Sequence, residues 1–195
     1  MTIRQVILRR LYPLFRWVQQ MRGKKRVLTN KKNIRPPVPF YSFSLMLNNG
    51  LALDFERLRG KKVLLVNTAS HCGYTGQYKE LQALYNLAAE EVEILAMPAN
   101  DFKQQEKDSD EEIAQFCERN FGLSFPLAKK LKVSGGAGQH PLYRWLTDPE
   151  QNGWNAQKPV WNFCKYLVDE NGMLTHYFDP AVSPLSEVMI KAIQQ

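Results

Sequence analysis

The stretch VLLVNTASHCGYTGQY, residues 63–78, passes from a run of apolar, β-branched residues into a turn with a cysteine and then into a helical pattern. The apolar run predicts a buried strand, and the pattern after it predicts a helix over residues 75–89. Cys72 therefore lies near a helix N-terminus, where unpaired N–H groups and the helix dipole stabilise a thiolate. It could equally be a small apolar core residue. The turn alone leaves both interpretations open.

The elements on either side of this stretch complete an α/β pattern. Turn residues, apolar runs, a capping box and an Asn-Gly pair predict each of them. In chain order they are a hairpin around Asn48-Asn49-Gly50, a buried strand at 91–99, a helix opened by Ser109 and Glu112 and ending near Phe121, a short helix near 141–147, strands within 163–170 and 173–178 joined at Asn171-Gly172, and a final helix opened by Ser183 and Pro184. This order predicts an α/β domain with a thioredoxin-like fold, a central mixed sheet flanked by helices.

Charge divides the chain into two parts. The 195 residues have a net charge of +7, yet residues 1–38 hold eleven Lys or Arg and no acid. That leaves 15 of the 26 basic residues and all 19 acids, a net charge of −4, for residues 39–195. Three prolines, Pro36, Pro37 and Pro39, mark a linker at the boundary. We predict a basic N-terminal extension with its linker over residues 1–38 and a globular domain over residues 39–195.

The N-terminal extension has the pattern of an amphipathic helix. Its apolar residues recur every three or four positions among arginines: Ile3, Ile7, Leu11, Leu14, Val18 and Met21. Such a helix binds an anionic membrane surface through residues 1–35 or packs on the acidic surface of the domain. No apolar run reaches the roughly 18 residues of a membrane span, and no cleavable signal peptide is evident. We expect a cytoplasmic protein, with peripheral membrane association as the alternative.

The three cysteines are too few for a disulfide framework. Thr75 stands where a CxxC motif would have its second cysteine, which argues against an ordinary dithiol oxidoreductase. His71 lies beside Cys72, but no second cluster with ligand spacing accompanies it, so no metal is expected. Since no basic and aromatic surface recurs in the domain, we expect no nucleic-acid partner.

The segment VNTASHCGYTGQYKEL resembles the peroxidatic-cysteine motif of the glutathione peroxidase family, which is close to VNxASxCGxTxxYxxL. Five further segments are similar to family motifs in the same order: PANDFKQQE, SDEEIAQFC, FPLAKKLKV, HPLYRWL and WNFCKYLVDENG. The resemblance spans about residues 40–192 and is closest to the two-cysteine, thioredoxin-dependent bacterial type. It implies a thioredoxin-like fold and a thiol-dependent peroxidase without cofactor that reduces hydrogen peroxide and organic or lipid hydroperoxides in antioxidant defence.

The resemblance also implies roles for individual residues. Cys72 matches the residue that reacts with peroxide, and Gln105, Trp161 and Asn162 match residues whose N–H groups donate to the thiolate and the peroxide. Taken singly, these three could be a loop residue, a core residue and a turn former. Cys117 matches the resolving cysteine of members that thioredoxin reduces; otherwise it is a buried helix residue.

Two functions remain open after these assignments. The first is a peroxidase reduced by thioredoxin or glutathione. The second is a redox sensor or membrane-anchored interaction module that signals through the pair Cys72 and Cys117. Cys164, within a predicted strand, is expected to be a packing residue.

Several positions depart from the family pattern. They are Ala99 for a cysteine, Asp101 for a glutamine, Lys103 for a glycine and Lys107-Asp108 for a proline–glycine pair. None of them is Cys72, Gln105, Trp161 or Asn162. The departures therefore affect the conformation and charge of the loop over residues 99–108. The chain also lacks a long insertion between His140 and Trp161 that some members use in oligomers, which favours a monomer.

Overall fold

The computed structural model describes residues 26–31 and 34–195. Within them, strands and helices alternate as the sequence predicts. The strands are β1 (Val27–Thr29), β2 (Ser44–Met46), β3 (Ala52–Asp54), β4 (Lys62–Thr68), β5 (Val92–Pro98), β6 (Lys165–Val168) and β7 (Leu174–Phe178). The α-helices are α1 (Gln77–Ala88), α2 (Asp110–Phe121), α3 (Pro141–Leu146), α4 (Pro149–Asn152) and α5 (Glu187–Gln194), with 3-10 helices at Phe40–Ser42 and Phe55–Leu58.

A five-stranded mixed sheet in the order β1-β7-β6-β4-β5 forms the centre of the domain. Strands β4 and β5 are parallel, with Thr68 opposite Pro98, while β6 runs antiparallel to β4, with Lys165 opposite Val66. The chain therefore leaves β4 and β5, and enters β6, at the same edge of the sheet. The segments that hold Cys72, Gln105 and Trp161 meet there because of this topology.

The sheet separates two hydrophobic clusters because alternate strand residues point to opposite faces. Leu64 and Val66 belong to one cluster, together with buried residues of α1, α2 and α5. Val63 and Leu65 belong to the other, with α3 and the two 3-10 helices. Cys72 lies in the first cluster and Cys164 in the second. The sheet thus lies between these two sulfur atoms.

The mixed sheet flanked by helices confirms the predicted α/β class, and two local predictions are also confirmed. Strand β2 pairs with β3 around the Asn48-Asn49-Gly50 turn, with Met46 opposite Ala52. The capping box of α2 is present: Ser109 Oγ accepts from the Glu112 N–H at 3.2 Å, and the Glu112 carboxylate accepts from the Ser109 N–H at 2.8 Å.

The predicted start of the final helix is wrong. Helix α5 begins at Glu187 rather than at Ser183 and Pro184. The Ser183 hydroxyl accepts from the Leu185 N–H at 3.2 Å, and the Ser183 carbonyl accepts from the Ser186 N–H at 3.0 Å. Ser183 thus closes a separate turn before the helix begins.

Part of the predicted extension contributes to the central sheet. Strand β1 lies within residues 1–38 and pairs with β7 at the sheet edge, with Val27 opposite Phe178. Residues 1–25, which hold the predicted amphipathic helix, lie outside the described residues. The division at residue 38 remains a prediction. Within the described residues, no helix combines the length and apolar character needed to cross a membrane.

Candidate active site

Cys72 lies in a tight turn between β4 and α1. The Thr75 N–H donates to the Cys72 carbonyl at 3.2 Å, and the Cys72 N–H donates to Thr75 Oγ1 at 3.1 Å. The Thr75 hydroxyl is also 2.7 Å from the Cys72 carbonyl and 2.9 Å from the Ala69 carbonyl, either of which accepts its proton. Where a CxxC motif has its second cysteine, this chain has a hydroxyl that fixes the turn.

The Cys72 sulfur is buried but surrounded by donors. The residue is 1% exposed, and the Tyr74 N–H points at Sγ from 3.4 Å. Burial raises the pKa of the thiol. The Tyr74 N–H and the polar side chains of Trp161 and Asn162 oppose that rise, while Glu106 adds to it. Three donors therefore converge on one buried sulfur, an arrangement that favours its thiolate over an unassisted buried thiol.

Trp161 and Asn162 reach Cys72 because Asn67 holds the turn before β6. The Asn67 side-chain amide donates to the Trp161 carbonyl at 2.9 Å, and the Phe163 N–H donates to the Asn67 carbonyl at 2.5 Å. Phe163 has φ of 66°, a left-handed conformation that is unfavourable for a residue with a side chain. The surrounding contacts therefore hold a strained turn that aims both side chains at the sulfur.

Gln105 is joined to the cysteine through Asn162. Asn162 is fully buried and donates one amide hydrogen to Gln105 Oε1 at 3.0 Å. The Gln105 carbonyl accepts from the His71 N–H at 3.1 Å, so the loop after β5 is bonded directly to the Cys72 turn. The structure thus brings together Cys72, Trp161, Asn162 and Gln105.

Lys103 stands where the family pattern has glycine, and the backbone keeps the conformation that glycine favours. Its φ is 49°, in the left-handed region. Its ammonium group lies 5.7 Å from the centre of the Trp161 ring, within cation–π range. The Phe102 ring also packs on Trp161, at 5.7 Å between centroids. The loop departs from the family in sequence while still supporting Trp161.

Cys117 is buried in α2 within the same hydrophobic cluster as Cys72, and both are free thiols. Burial raises the pKa of the Cys117 thiol to about 12, with Tyr78 opposing and Glu106 adding to the rise. A groove of about 420 Å³ borders Cys117, between α2 and residues 123–127. In the folded helix this thiol is protonated and unreactive.

Cys164 packs on the opposite face of the sheet. Its sulfur accepts from the Val160 N–H at 3.3 Å and lies 3.3 Å from the Tyr177 hydroxyl.

His71 is the residue considered from sequence as a metal ligand. Its Nε2 lies 2.9 Å from Asp108 Oδ2. Among residues 26–31 and 34–195, no three His, Cys, Asp or Glu side chains are grouped to hold a metal.

Glu106 is a site residue that the sequence alone did not identify, although it is part of the motif PANDFKQQE. The structure buries this acid completely beside the Cys72 turn, where it accepts hydrogen bonds from Ser70. The only indication of its role in the sequence was an acidic residue directly after Gln105. The burial of Glu106 depends on the fold and could not be predicted from the motif.

Comparison with known proteins identifies the family. The family model described as glutathione peroxidase matches residues 40–147. The chain belongs to the glutathione peroxidase family. It is 40% identical over 159 residues to the glutathione peroxidase-like peroxiredoxin HYR1 of Saccharomyces cerevisiae, covering 80% of this chain and 97% of the yeast protein. This family member is a thiol-dependent peroxidase, an oxidoreductase.

Solved structures support the same assignment. The crystal structure of T. cruzi GPX1 is similar with a TM-score of 0.59 at 28% identity, covering 80% of this peroxidase and 97% of that chain. A thioredoxin family thiol:disulfide interchange protein from Chlorobium tepidum has a TM-score of 0.56 at 15% identity, covering 83% of this peroxidase and 95% of that chain. The second likeness shows the fold alone, and the predicted thioredoxin-like fold is confirmed.

Proposed function

We propose that peroxide oxidises Cys72 in this peroxidase. The observation that carries the proposal is the convergence of the Tyr74 N–H, Trp161 and Asn162 on the buried sulfur. The thiolate attacks one peroxide oxygen, the O–O bond breaks, and the sulfur becomes sulfenic acid. The departing oxygen leaves as an alcohol, or as water from hydrogen peroxide, after it takes up a proton that balances the one lost from the thiol.

The neighbouring donors stabilise charge in this step. The Trp161 indole and the Asn162 amide hydrogen-bond the thiolate, and the Gln105 amide donates to the oxygen that becomes negative as the O–O bond breaks. Amide and indole groups suit this task because they donate hydrogen bonds without losing a proton.

Cys117 is the proposed resolving cysteine. Its thiol condenses with the Cys72 sulfenic acid to give a disulfide and water. A disulfide needs the two Cα atoms within about 4.4–6.8 Å, and Cys117 lies two turns into α2. Part of α2 must therefore unwind, which also exposes the thiol and lowers its pKa towards the ordinary value.

A thioredoxin-type dithiol then reduces the disulfide and is itself oxidised to a disulfide, with glutathione as the alternative reductant. The peroxiredoxin name of the yeast relative supports a protein reductant. We propose hydrogen peroxide and organic or lipid hydroperoxides as substrates, no prosthetic cofactor, a monomeric state, a cytoplasmic location and a role in antioxidant defence.

Mass spectrometry after one equivalent of hydrogen peroxide tests the cysteine assignments. We expect a loss of two hydrogens in intact mass and a disulfide between the Cys72 and Cys117 peptides. Cys72→Ser should abolish peroxide consumption, whereas Cys164→Ser, a control on the other face of the sheet, should keep it. Normal turnover by Cys72→Ser would refute the assignment. Consumption of one equivalent without turnover, in the presence of thioredoxin, its reductase and NADPH, would favour the sensor.

Residues 1–35 are proposed to bind anionic membrane surfaces, because they hold basic side chains and no acid. The full chain should co-sediment with vesicles that contain phosphatidylglycerol at low salt, and should not do so with vesicles of phosphatidylcholine alone. The double variant Arg9→Glu, Arg10→Glu should bind less. Equal binding of both proteins to both vesicles would remove the membrane role.

A further inference from the structure

Glu106 is a fully buried acid beside the candidate active site. It is 0% exposed, although acids are almost never buried without a partner of opposite charge. Its Oε2 accepts from the Ser70 N–H at 2.8 Å and from Ser70 Oγ at 3.2 Å. Its Oε1 has no hydrogen-bond partner within the described residues. A side chain that is this unfavourable to bury calls for a specific role.

The hydrogen bonds of Glu106 join the two turns that hold Cys72 and Gln105. Ser70 lies two residues before Cys72, and Glu106 directly follows Gln105. The next donor along the Cys72 turn, the His71 N–H, bonds to the Gln105 carbonyl at 3.1 Å. Two consecutive backbone N–H groups of one turn therefore bond to two consecutive residues of the other. Glu106 thus helps to set where Cys72 lies relative to Gln105.

The surroundings of Glu106 favour its neutral form at neutral pH. Burial raises the pKa of the carboxyl to about 8; the Ser70 hydrogen bonds and Lys130 oppose this rise, and Asp108 adds to it. Because Oε2 already accepts two hydrogen bonds, the proton belongs on Oε1. A charge on Glu106 raises the pKa values of three groups that face it: Cys72, Tyr78 and Cys117.

We propose that Glu106 is a positioning residue of this peroxidase: as a neutral carboxyl it fastens the Cys72 turn to the Gln105 loop, and as a carboxylate it opposes formation of the Cys72 thiolate. The proposal rests on the proposed function of Cys72. The two roles have one cause, since two negative charges close together in a buried region are unfavourable. As the pH rises, Glu106 and Cys72 titrate as a coupled pair, and the charge on Glu106 shifts the formation of the Cys72 thiolate to higher pH.

Two substitutions separate these roles. Glu106→Gln keeps an acceptor for Ser70 and removes the charge at every pH, whereas Glu106→Ala removes both. The Cys72 thiolate is titrated through the rate of its alkylation by iodoacetamide, followed on the Cys72 peptide, and its oxidation by hydrogen peroxide is followed by stopped flow from pH 5 to pH 10. Glu93→Gln is the matched control, because Glu93 is a partly buried acid whose pKa is also raised, and it lies near the start of β5, at the far end of the sheet.

We expect Glu106→Gln to lower the pKa of Cys72 by about one unit and to raise the oxidation rate several-fold near pH 9. At pH 7, Glu106→Ala should be about tenfold slower than Glu106→Gln, because small displacements of reacting groups have large effects on rate. Glu93→Gln should match the wild type throughout. The proposal is overturned if Glu106→Gln leaves the pKa of Cys72 unchanged, or if it is as slow as Glu106→Ala at pH 7.

Two further results remain decisive. If Glu106→Ala does not fold, the titration of Glu106→Gln against the wild type decides the question alone. If wild-type Cys72 does not react with peroxide, the proposed function fails, and the alkylation titration still tests the coupling of Glu106 to Cys72.

Discussion

Replacing Asn162 by alanine tests how the site activates its cysteine. Asn162 is fully buried, and its amide has two hydrogens. One is donated to Gln105 Oε1 at 3.0 Å, and the interaction of the side chain with the Cys72 sulfur lowers the pKa of the thiol. Asn162→Ala removes both interactions and leaves Tyr74 and Trp161 as donors to the sulfur.

The size of the effect follows from the charge of the acceptor. A hydrogen bond to a charged group contributes about 1.5–3 kcal/mol, and each pKa unit corresponds to about 1.4 kcal/mol. Asn162→Ala should therefore raise the pKa of Cys72 by about 1–2 units. At pH 7, well below that pKa, the thiolate fraction and the oxidation rate should fall by about 10–100-fold.

Stopped-flow fluorescence measures this rate, because Trp161 packs against the cluster that contains Cys72 and its emission should change when Cys72 is oxidised. The deficit of Asn162→Ala should shrink as the pH approaches the pKa of the thiol. Asn152→Ala is the matched control: Asn152 is also buried, but its amide donates to the carbonyls of Trp145 and Asn155, both at 2.8 Å. It should lose stability and keep the wild-type rate. A folded Asn162→Ala protein that oxidises at the wild-type rate at pH 7 would refute the reasoning.

Three further predictions follow from individual contacts. Cys117→Ser should react once with peroxide at the wild-type rate, stop turning over with thioredoxin, and accumulate Cys72 sulfenic acid that dimedone labels; unchanged turnover would make Cys117 a packing residue. Thr75→Val leaves the Cys72 N–H without its acceptor and should lower the free energy of unfolding by about 1–3 kcal/mol in urea titrations; unaltered stability would contradict this role. Because the pKa of Glu106 is about 8 in the fold and near 4.5 in the unfolded chain, the folded state holds a proton that the unfolded state releases, so stability falls as pH rises between those values. Between pH 5 and pH 7.5, the free energy of unfolding of Glu106→Gln should rise by about 3 kcal/mol relative to that of the wild type. If the two free energies of unfolding change equally with pH, Glu106 is not a buried neutral acid.

Local interactions explain what the sequence determined by itself. The apolar runs of β4 and β5 and the capping box of Ser109 and Glu112 use residues that are neighbours along the chain, so their pattern is visible without the fold. The motif segments likewise identified Cys72 and its proposed partners one by one. Ser183 shows the limit of such patterns: its hydroxyl bonds to Leu185 in a separate turn and to the distant Glu80, so the helix begins later.

Only the tertiary structure decided how these residues work together. Strand β1 is three residues long and pairs with β7 about 150 positions away, so no local sequence pattern predicts it. The parallel pairing of β4 with β5 and the antiparallel pairing with β6 bring the turns of Cys72, Gln105 and Trp161 to one sheet edge. The same packing removes Glu106 from water. Burial, and with it the shift of a pKa, is a property of the assembled fold, because the groups that exclude water come from distant parts of the chain.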